Sequence, residues 1–228
     1  MPEKDTTKST PASTPQLDAA LEYLDMGFSV IPVKRADKKP YFEWKEFQER
    51  YPTQDEIYKW WELYPDANVA IVCGKLSGIF CVDADGPIGI EWMNKSLPRT
   101  TVYSQTAKGV HAIFAYPDGP VVIRNNVRLY EEVDIRGEGG YFVAPPSIHA
   151  TGHTYQWIMK EGGWDELSTY RPASAQISSG GIDLSGVKSS PVNAPVGKGS
   201  RNSTLAQLAG KWVGAGLDDD EIGTLAKA

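Results

Sequence analysis

The segment Cys81-Val82-Asp83-Ala84-Asp85-Gly86-Pro87 sets two carboxylates two residues apart at the end of an apolar run. On a strand, side chains at i and i+2 project to the same face about 6.5–7 Å apart, so both reach one divalent cation; without a cation they repel. An isolated Asp-x-Asp at a strand end also serves to cap a turn, and the pair alone leaves both readings open. Two further segments add chemistry. Gly109-Val110-His111 puts a histidine at the start of another apolar run, behind a loop with Thr106, Lys108 and Gly109 that could approach phosphate oxygens closely. Val133-Asp134-Ile135-Arg136, ahead of Gly137-Glu138-Gly139-Gly140, places an acid and a base on one strand face. They suit a metal and a phosphate respectively, or each other as a surface pair. Three strand-borne aspartates, a histidine, an arginine and nearby glycines are what metal-assisted nucleotidyl transfer requires. The carboxylates hold two cations and the cationic donors hold a triphosphate.

These residues need a sheet to carry them. The runs at Val69–Cys73, Ile79–Val82, Thr101–Gln105, Val110–Tyr116, Glu132–Arg136, Tyr141–Ala144 and His153–Met159 read as strands separated by turns rich in Gly, Pro and Asn. The first two are continuously apolar, which predicts strands covered on both faces. Helices come earlier. Thr14 and Pro15 open one whose stripe is Leu17, Ala20, Leu21 and Leu24, and Gly27 closes it before a strand at Phe28–Val33. After a charged loop at Lys34–Pro40, Thr53 and Glu56 form a capping box for a second helix with Ile57, Trp60, Trp61 and Tyr64 on one face. The order predicts an α+β domain with its sheet covered by helices. The expected organisation is a disordered tail over residues 1–15, a catalytic domain over 16–171, a Ser/Gly/Pro-rich linker over 172–195 and the start of a helical unit over 196–228.

Composition narrows the partners. The 228 residues carry 23 Lys and Arg against 29 Asp and Glu, a net charge of −6, so no global basic footprint drives nucleic-acid binding and any such grip must be local. No apolar run approaches the roughly 18 residues of a membrane span. The tail has no apolar stretch of the kind a signal peptide needs. The 2 cysteines, Cys73 and Cys81, lie in apolar runs, which fits small buried side chains in a reducing cytoplasm. A zinc set of Cys73, Cys81, His149 and His153 matches no usual ligand spacing. The aromatics Trp60, Trp61 and Tyr64 have the spacing of a core face before that of a base-stacking platform.

Read in order, Ile31-Pro32, Lys39-Pro40, Trp44, Pro52-Thr53, Trp60-Trp61, Ala67-Asn68-Val69-Ala70-Ile71, Gly74, Ser77-Gly78 and Val82-Asp83-Ala84-Asp85-Gly86 resemble the bifunctional primase–polymerase family of the archaeo-eukaryotic primase superfamily. So do Gly109-Val110-His111-Ala112-Ile113-Phe114 and the stretch from Val133-Asp134-Ile135-Arg136 through Gly140 to Pro145-Pro146-Ser147. The resemblance covers about residues 17–160. It implies a two-layer module, an αβ unit packed on a unit like an RNA-recognition motif, found in replication proteins of plasmids, phages and mobile elements. It further implies a primase and DNA polymerase acting on single-stranded DNA template and primer, with nucleoside triphosphates as substrates and two Mg²⁺ or Mn²⁺ ions. By position, Asp83, Asp85 and Asp134 look like the metal-binding carboxylates and His111 like the histidine that meets the incoming phosphates. Arg136, Lys39 and Lys108 are the further candidates for nucleotide contacts. Gly197-Lys198-Gly199-Ser200-Arg201-Asn202 looks like the start of the helical segment that often follows this module and precedes a helicase. The superfamily often has Ser-x-His or a double glycine before its histidine, where this chain has Lys108-Gly109-Val110. Two other classes compete. A metal-dependent glycosyltransferase also uses an Asp-x-Asp but explains only that motif, and a catalytically silent nucleic-acid-binding module accounts for the missing basic excess.

Overall fold

The computed structural model describes residues 11–170 and the pair Gln176–Ile177. The tail assigned to 1–15 therefore lies outside the described residues up to position 10. So do the unit assigned to 196–228 and all of the 172–195 linker except that pair.

Thr14 accepts the Leu17 amide and Pro15 stands in the first turn of α1 (Pro15–Asp25), which buries Leu17, Ala20 and Tyr23. Gly27, at φ +82°, turns the chain into β1 (Val30–Val33). The predicted capping box opens α2 (Gln54–Leu63), whose buried face is Ile57, Trp60 and Trp61; these tryptophans are core, as their spacing predicts. Next come β2 (Asn68–Val72), β3 (Ile79–Asp85), α3 (Gly86–Ser96), β4 (Val102–Gln105), β5 (Gly109–Ala115), β6 (Val121–Val122), β7 (Asn126–Tyr130), β8 (Val133–Arg136), β9 (Tyr141–Val143), β10 (Gln156–Met159) and β11 (Gln176–Ile177). The sequence pattern marks neither α3 nor β6, β7 and β11. Among the described residues no helix is long and apolar enough to cross a membrane.

The strands form an antiparallel three-stranded sheet, β1-β2-β9, and an antiparallel six-stranded sheet, β10-β4-β5-β3-β8-β7, with β11 pairing on β6. The expected α+β class holds. The strand β11 falls inside the segment expected to be linker. The central strands β5 and β3 are buried on both faces over most of their length, as their continuous apolar runs require, while β8 and β10 are only partly buried. Ile79 and Cys81 of β3 and Ile113 of β5 join the core that includes α1, α2 and the smaller sheet. Phe80, Val82 and Ala84, with Ala112 and Phe114, join a second core closed by Ile90 and Met93 of α3. Cys73 and Cys81 are buried free thiols, which burial pushes well above their usual pKa.

The start of α2 carries the best-connected ion pair away from the candidate site. Glu56 receives the Thr53 amide at 2.7 Å and Arg50 at 2.7 and 2.9 Å. Hydrogen bonds from Arg50 outweigh partial burial and hold its carboxyl at about 2. A carboxyl lowered in the folded state adds stability that is complete above its ordinary value of 4.5 and is lost as the pH falls toward about 2. Glu56→Gln should therefore cost about 1 kcal/mol near neutrality. The gap from the wild type should close as the pH falls from 4.5 toward about 2, as read by urea unfolding across that window. A gap that stays constant with pH would rule out the carboxylate as its cause.

Candidate active site

Register across three neighbouring strands builds the site. Asp83 stands directly opposite His111 on β5 and opposite Asp134 on β8, while Asp85 faces Gly109 and Cys81 faces Arg136. Paired residues leave a sheet on the same side. Asp83, Asp85, His111, Asp134 and Arg136 therefore share the face that Ile79, Cys81 and Ile113 fill further along. The sequence could show the i, i+2 pairs on single strands, but not that the strands bring them into one row.

Asp83 is the centre of that row. Its Oδ1 lies 3.4 Å from His111 Nε2, and its Oδ2 lies 3.4 Å from Arg136 Nη2. The same Nη2 donates to Asp134 Oδ2 at 2.7 Å, and Asp134 Oδ1 accepts the Arg128 amide at 2.7 Å. Burial alone would raise the Asp83 carboxyl. The charge and hydrogen bond of His111, then Arg136 and Lys38, outweigh burial and hold it at about 2. Asp85 moves the other way, raised by partial burial of its carboxyl and by the charge of Asp83 and only partly relieved by Lys38, Lys108 and His111. Two carboxylates with opposed shifts on one strand end are the repelling pair the sequence implied.

Asp85 is the N-cap residue of α3, yet its side chain makes no capping bond. The Glu132 carboxylate takes that place from the turn between β7 and β8, accepting the amides of Ile88 at 3.1 Å and Gly89 at 3.2 Å. The turn-cap alternative for Asp85 is thus not what its side chain does; Glu132 caps the helix and Asp85 is left exposed toward the site. Close packing enforces this geometry. A Cβ on Gly109 would lie 2.0 Å from the Ala84 carbonyl oxygen, and one on Gly89 2.4 Å from that of Glu132.

The lysines differ from expectation. Lys39 pairs with Asp37 at 3.7 Å in solvent. Its neighbour Lys38, at φ +60°, places Nζ 6.0 Å from the Tyr155 ring centre and acts on Asp83, Asp85 and His149. Alternation along a short loop gave no means of choosing between them. Lys108 acts on Asp85. The amides of Lys108 and Gly109, however, are both taken by Thr106 Oγ1, at 3.2 and 2.9 Å, so this loop closes a hairpin and offers neither of these amides to a phosphate. All 3 histidines of the chain pack around Tyr155, with ring centres 6.0 Å (His111), 6.4 Å (His149) and 6.4 Å (His153) from it.

Among the described residues no three His, Cys, Asp or Glu side chains converge as an ion cage, and that holds for the aspartates as they stand. Between Asp83 and Asp134 the cationic position is filled by Arg136, which touches one oxygen of each. A positive group already bridges these carboxylates. The three carboxylates are hard oxygen donors, whose chemistry fits Mg²⁺ or Mn²⁺.

Comparison with known proteins bears on both ends of the chain. A family model described as bifunctional DNA primase/polymerase, N-terminal, matches residues 20–175, which include every residue of the row. A second, described as primase C terminal 1, matches residues 189–228, most of which had been assigned to the helical unit. No curated protein matches the chain.

Proposed function

Because the chain belongs to the bifunctional DNA primase/polymerase family, with a replication role of that type, we propose that it is a template-directed nucleotidyltransferase that makes primers on single-stranded DNA and extends them. The observation that carries this reading is the row His111–Asp83–Asp134 with Asp85 beside it, four groups on one face held by strand pairing. The β1-β2-β9 sheet with α1 and α2 corresponds on this reading to the αβ unit. The six-stranded sheet with α3 corresponds to the unit like an RNA-recognition motif.

Asp83, Asp85 and Asp134 would hold the two divalent cations, whose chemistry is to acidify the attacking 3′-hydroxyl and neutralise charge on the leaving pyrophosphate. The protein's own groups do the rest. His111 directs Nε2 at a carboxylate oxygen 3.4 Å away, so that nitrogen bears hydrogen and can donate equally to a phosphate oxygen. Arg136 exchanges its two carboxylate partners for phosphate oxygens, which its planar fork suits. Lys38, in place of Lys39, and Lys108 supply positive potential on the open side, where an acidic molecule of net charge −6 most needs it. On this reading a helicase, fused or separate, would be the partner of the segment at 189–228 that matches the primase C terminal 1 model. The unpaired thiols suit the cytoplasm in which replication of a plasmid or phage would proceed.

The test supplies labelled nucleotides and Mn²⁺ or Mg²⁺ with either an annealed primer–template or an unprimed single strand, beside a nucleotide-sugar donor. Extension of the primer and new short products on the bare strand are expected. Turnover of the sugar donor alone, or DNA binding without incorporation, would replace this reading with one of its competitors.

A further inference from the structure

We propose that Ser104 is a positioning residue for His111, its hydroxyl fixing the imidazole with Nε2 as the nitrogen that faces phosphate; the second half of that statement rests on the proposed function. Ser104 lies on β4 directly opposite His111. It is wholly buried, and its Oγ has no hydrogen-bond partner among the described residues. His111 is 6 % exposed, and its Nδ1 has no such partner either. A buried hydroxyl or ring nitrogen without a partner is costly, and here two of them occupy facing positions on adjacent strands. Side chains directly opposite each other have Cβ atoms about 4.5–5.5 Å apart, close enough for a serine hydroxyl to reach a ring nitrogen by rotating about its Cα–Cβ bond.

The other neighbours of Ser104 are committed. On its far side the register partner is Trp157, whose Nε1 donates to the Tyr23 hydroxyl at 2.8 Å. Two residues on, just past the end of β4, Thr106 Oγ1 receives the Lys108 and Gly109 amides, and two residues back the Val102 side chain offers only carbon. On the histidine side, Nδ1 is buried, and the rings of Phe142 and Tyr155 pack with centres 5.5 and 6.0 Å from the imidazole. Ser104 Oγ and His111 Nδ1 are thus two unpartnered buried groups at facing positions of β4 and β5.

The chemistry also fits. Nε2 faces an Asp83 oxygen, which only accepts, so Nε2 carries hydrogen. In the neutral ring Nδ1 is then an acceptor, and the serine hydroxyl donates to it; in the charged ring Nδ1–H donates to the serine oxygen. A hydroxyl serves both forms, which neither alanine nor a lysine could do. Removing it leaves the ring held by the Asp83 contact without a second anchor, so that whenever this 3.4 Å contact opens the ring can place its hydrogen on Nδ1 and turn an acceptor toward the phosphates.

The experiment uses the full chain with ¹⁵N-labelled histidine, and His111→Ala identifies the His111 signals. Long-range ¹H–¹⁵N spectra of the protein without metal or nucleotide should show a single His111 form with hydrogen on Nε2. Ser104→Ala should shift Nδ1 toward its unbonded position or mix the two tautomers, and Ser104→Thr should restore the wild-type pattern. In primer extension, Ser104→Ala should raise KM for the incoming nucleotide about tenfold while kcat and primer–template affinity stay within about twofold. Should Ser104→Ala not fold, Ser104→Cys carries the same comparison with a weaker donor. Identical His111 spectra in wild type and variant would overturn the proposal whatever the kinetics. A changed spectrum in a protein that incorporates no nucleotide would instead sustain the contact and sink the proposed function.

Discussion

Replacing Asp83 with asparagine is expected to lower templated nucleotide incorporation by on the order of 10³-fold or more, in Mn²⁺ as in Mg²⁺. Asparagine keeps the shape and one acceptor oxygen but removes the charge. That charge sits at the centre of the row, against His111, Arg136 and Asp134. With its carboxyl held at about 2, Asp83 is ionised at every working pH, so no change of buffer restores what the substitution takes away. The fold should survive, because Arg136 keeps its 2.7 Å bond to Asp134 and the strand register does not depend on the side chain. Thermal unfolding followed by circular dichroism should move by only a few degrees while single-turnover extension of an annealed primer disappears. Extension at a rate close to wild type would remove Asp83 from the chemistry.

Arg136→Ala should act in two directions at once. Its guanidinium now bridges Asp83 and Asp134, the two carboxylates that stand abreast on β3 and β8. Without it, their negative charge is uncompensated, and Mn²⁺ measured by calorimetry without nucleotide should bind several-fold more tightly. Nucleotide use should fall, since a charge-assisted phosphate contact is worth about 2–3 kcal/mol, or roughly 30- to 150-fold in kcat/KM. Tighter metal together with poorer nucleotide use separates an arginine that exchanges carboxylate for phosphate from one that merely braces the sheet. A structural brace would lower both, and unchanged values of both would leave Arg136 outside the reaction.

What the sequence disclosed depended on how local each signal was. The capping box at Thr53 and Glu56, the buried face of α2 and the doubly covered β3 are written in adjacent residues, and all are present. The helix α3 was hidden because Gly86-Pro87-Ile88-Gly89 carries two glycines and a proline and reads as a turn. Its N-terminus is completed by Glu132, which no local pattern connects to it. The strands β6 and β7 are short, and Arg128 and Glu132 around the β7–β8 turn have φ near +60°, which obscures any alternation. In the site, the Asp-x-Asp and Asp-x-Arg pairs were legible because i and i+2 share a face on any strand. Their assembly with His111 depends on pairing between β5, β3 and β8, and so does the facing of Ser104 and His111, since a serine within a strand has no distinguishing pattern. Lys38 and Lys39 are equivalent in sequence; only the left-handed backbone at Lys38 turns one toward the carboxylates and the other to Asp37.

The most direct measurement is anomalous diffraction from crystals of the full chain grown with Mn²⁺ and a non-hydrolysable nucleoside triphosphate. Manganese peaks should lie against the side-chain oxygens of Asp83, Asp85 and Asp134, with Arg136 withdrawn from between the first and last. The triphosphate should lie within hydrogen-bond distance of His111 Nε2 and the Arg136 guanidinium. Manganese bound elsewhere, with Arg136 still bridging Asp83 and Asp134 in the presence of nucleotide, would contradict the assignment of this row as the nucleotidyl-transfer site.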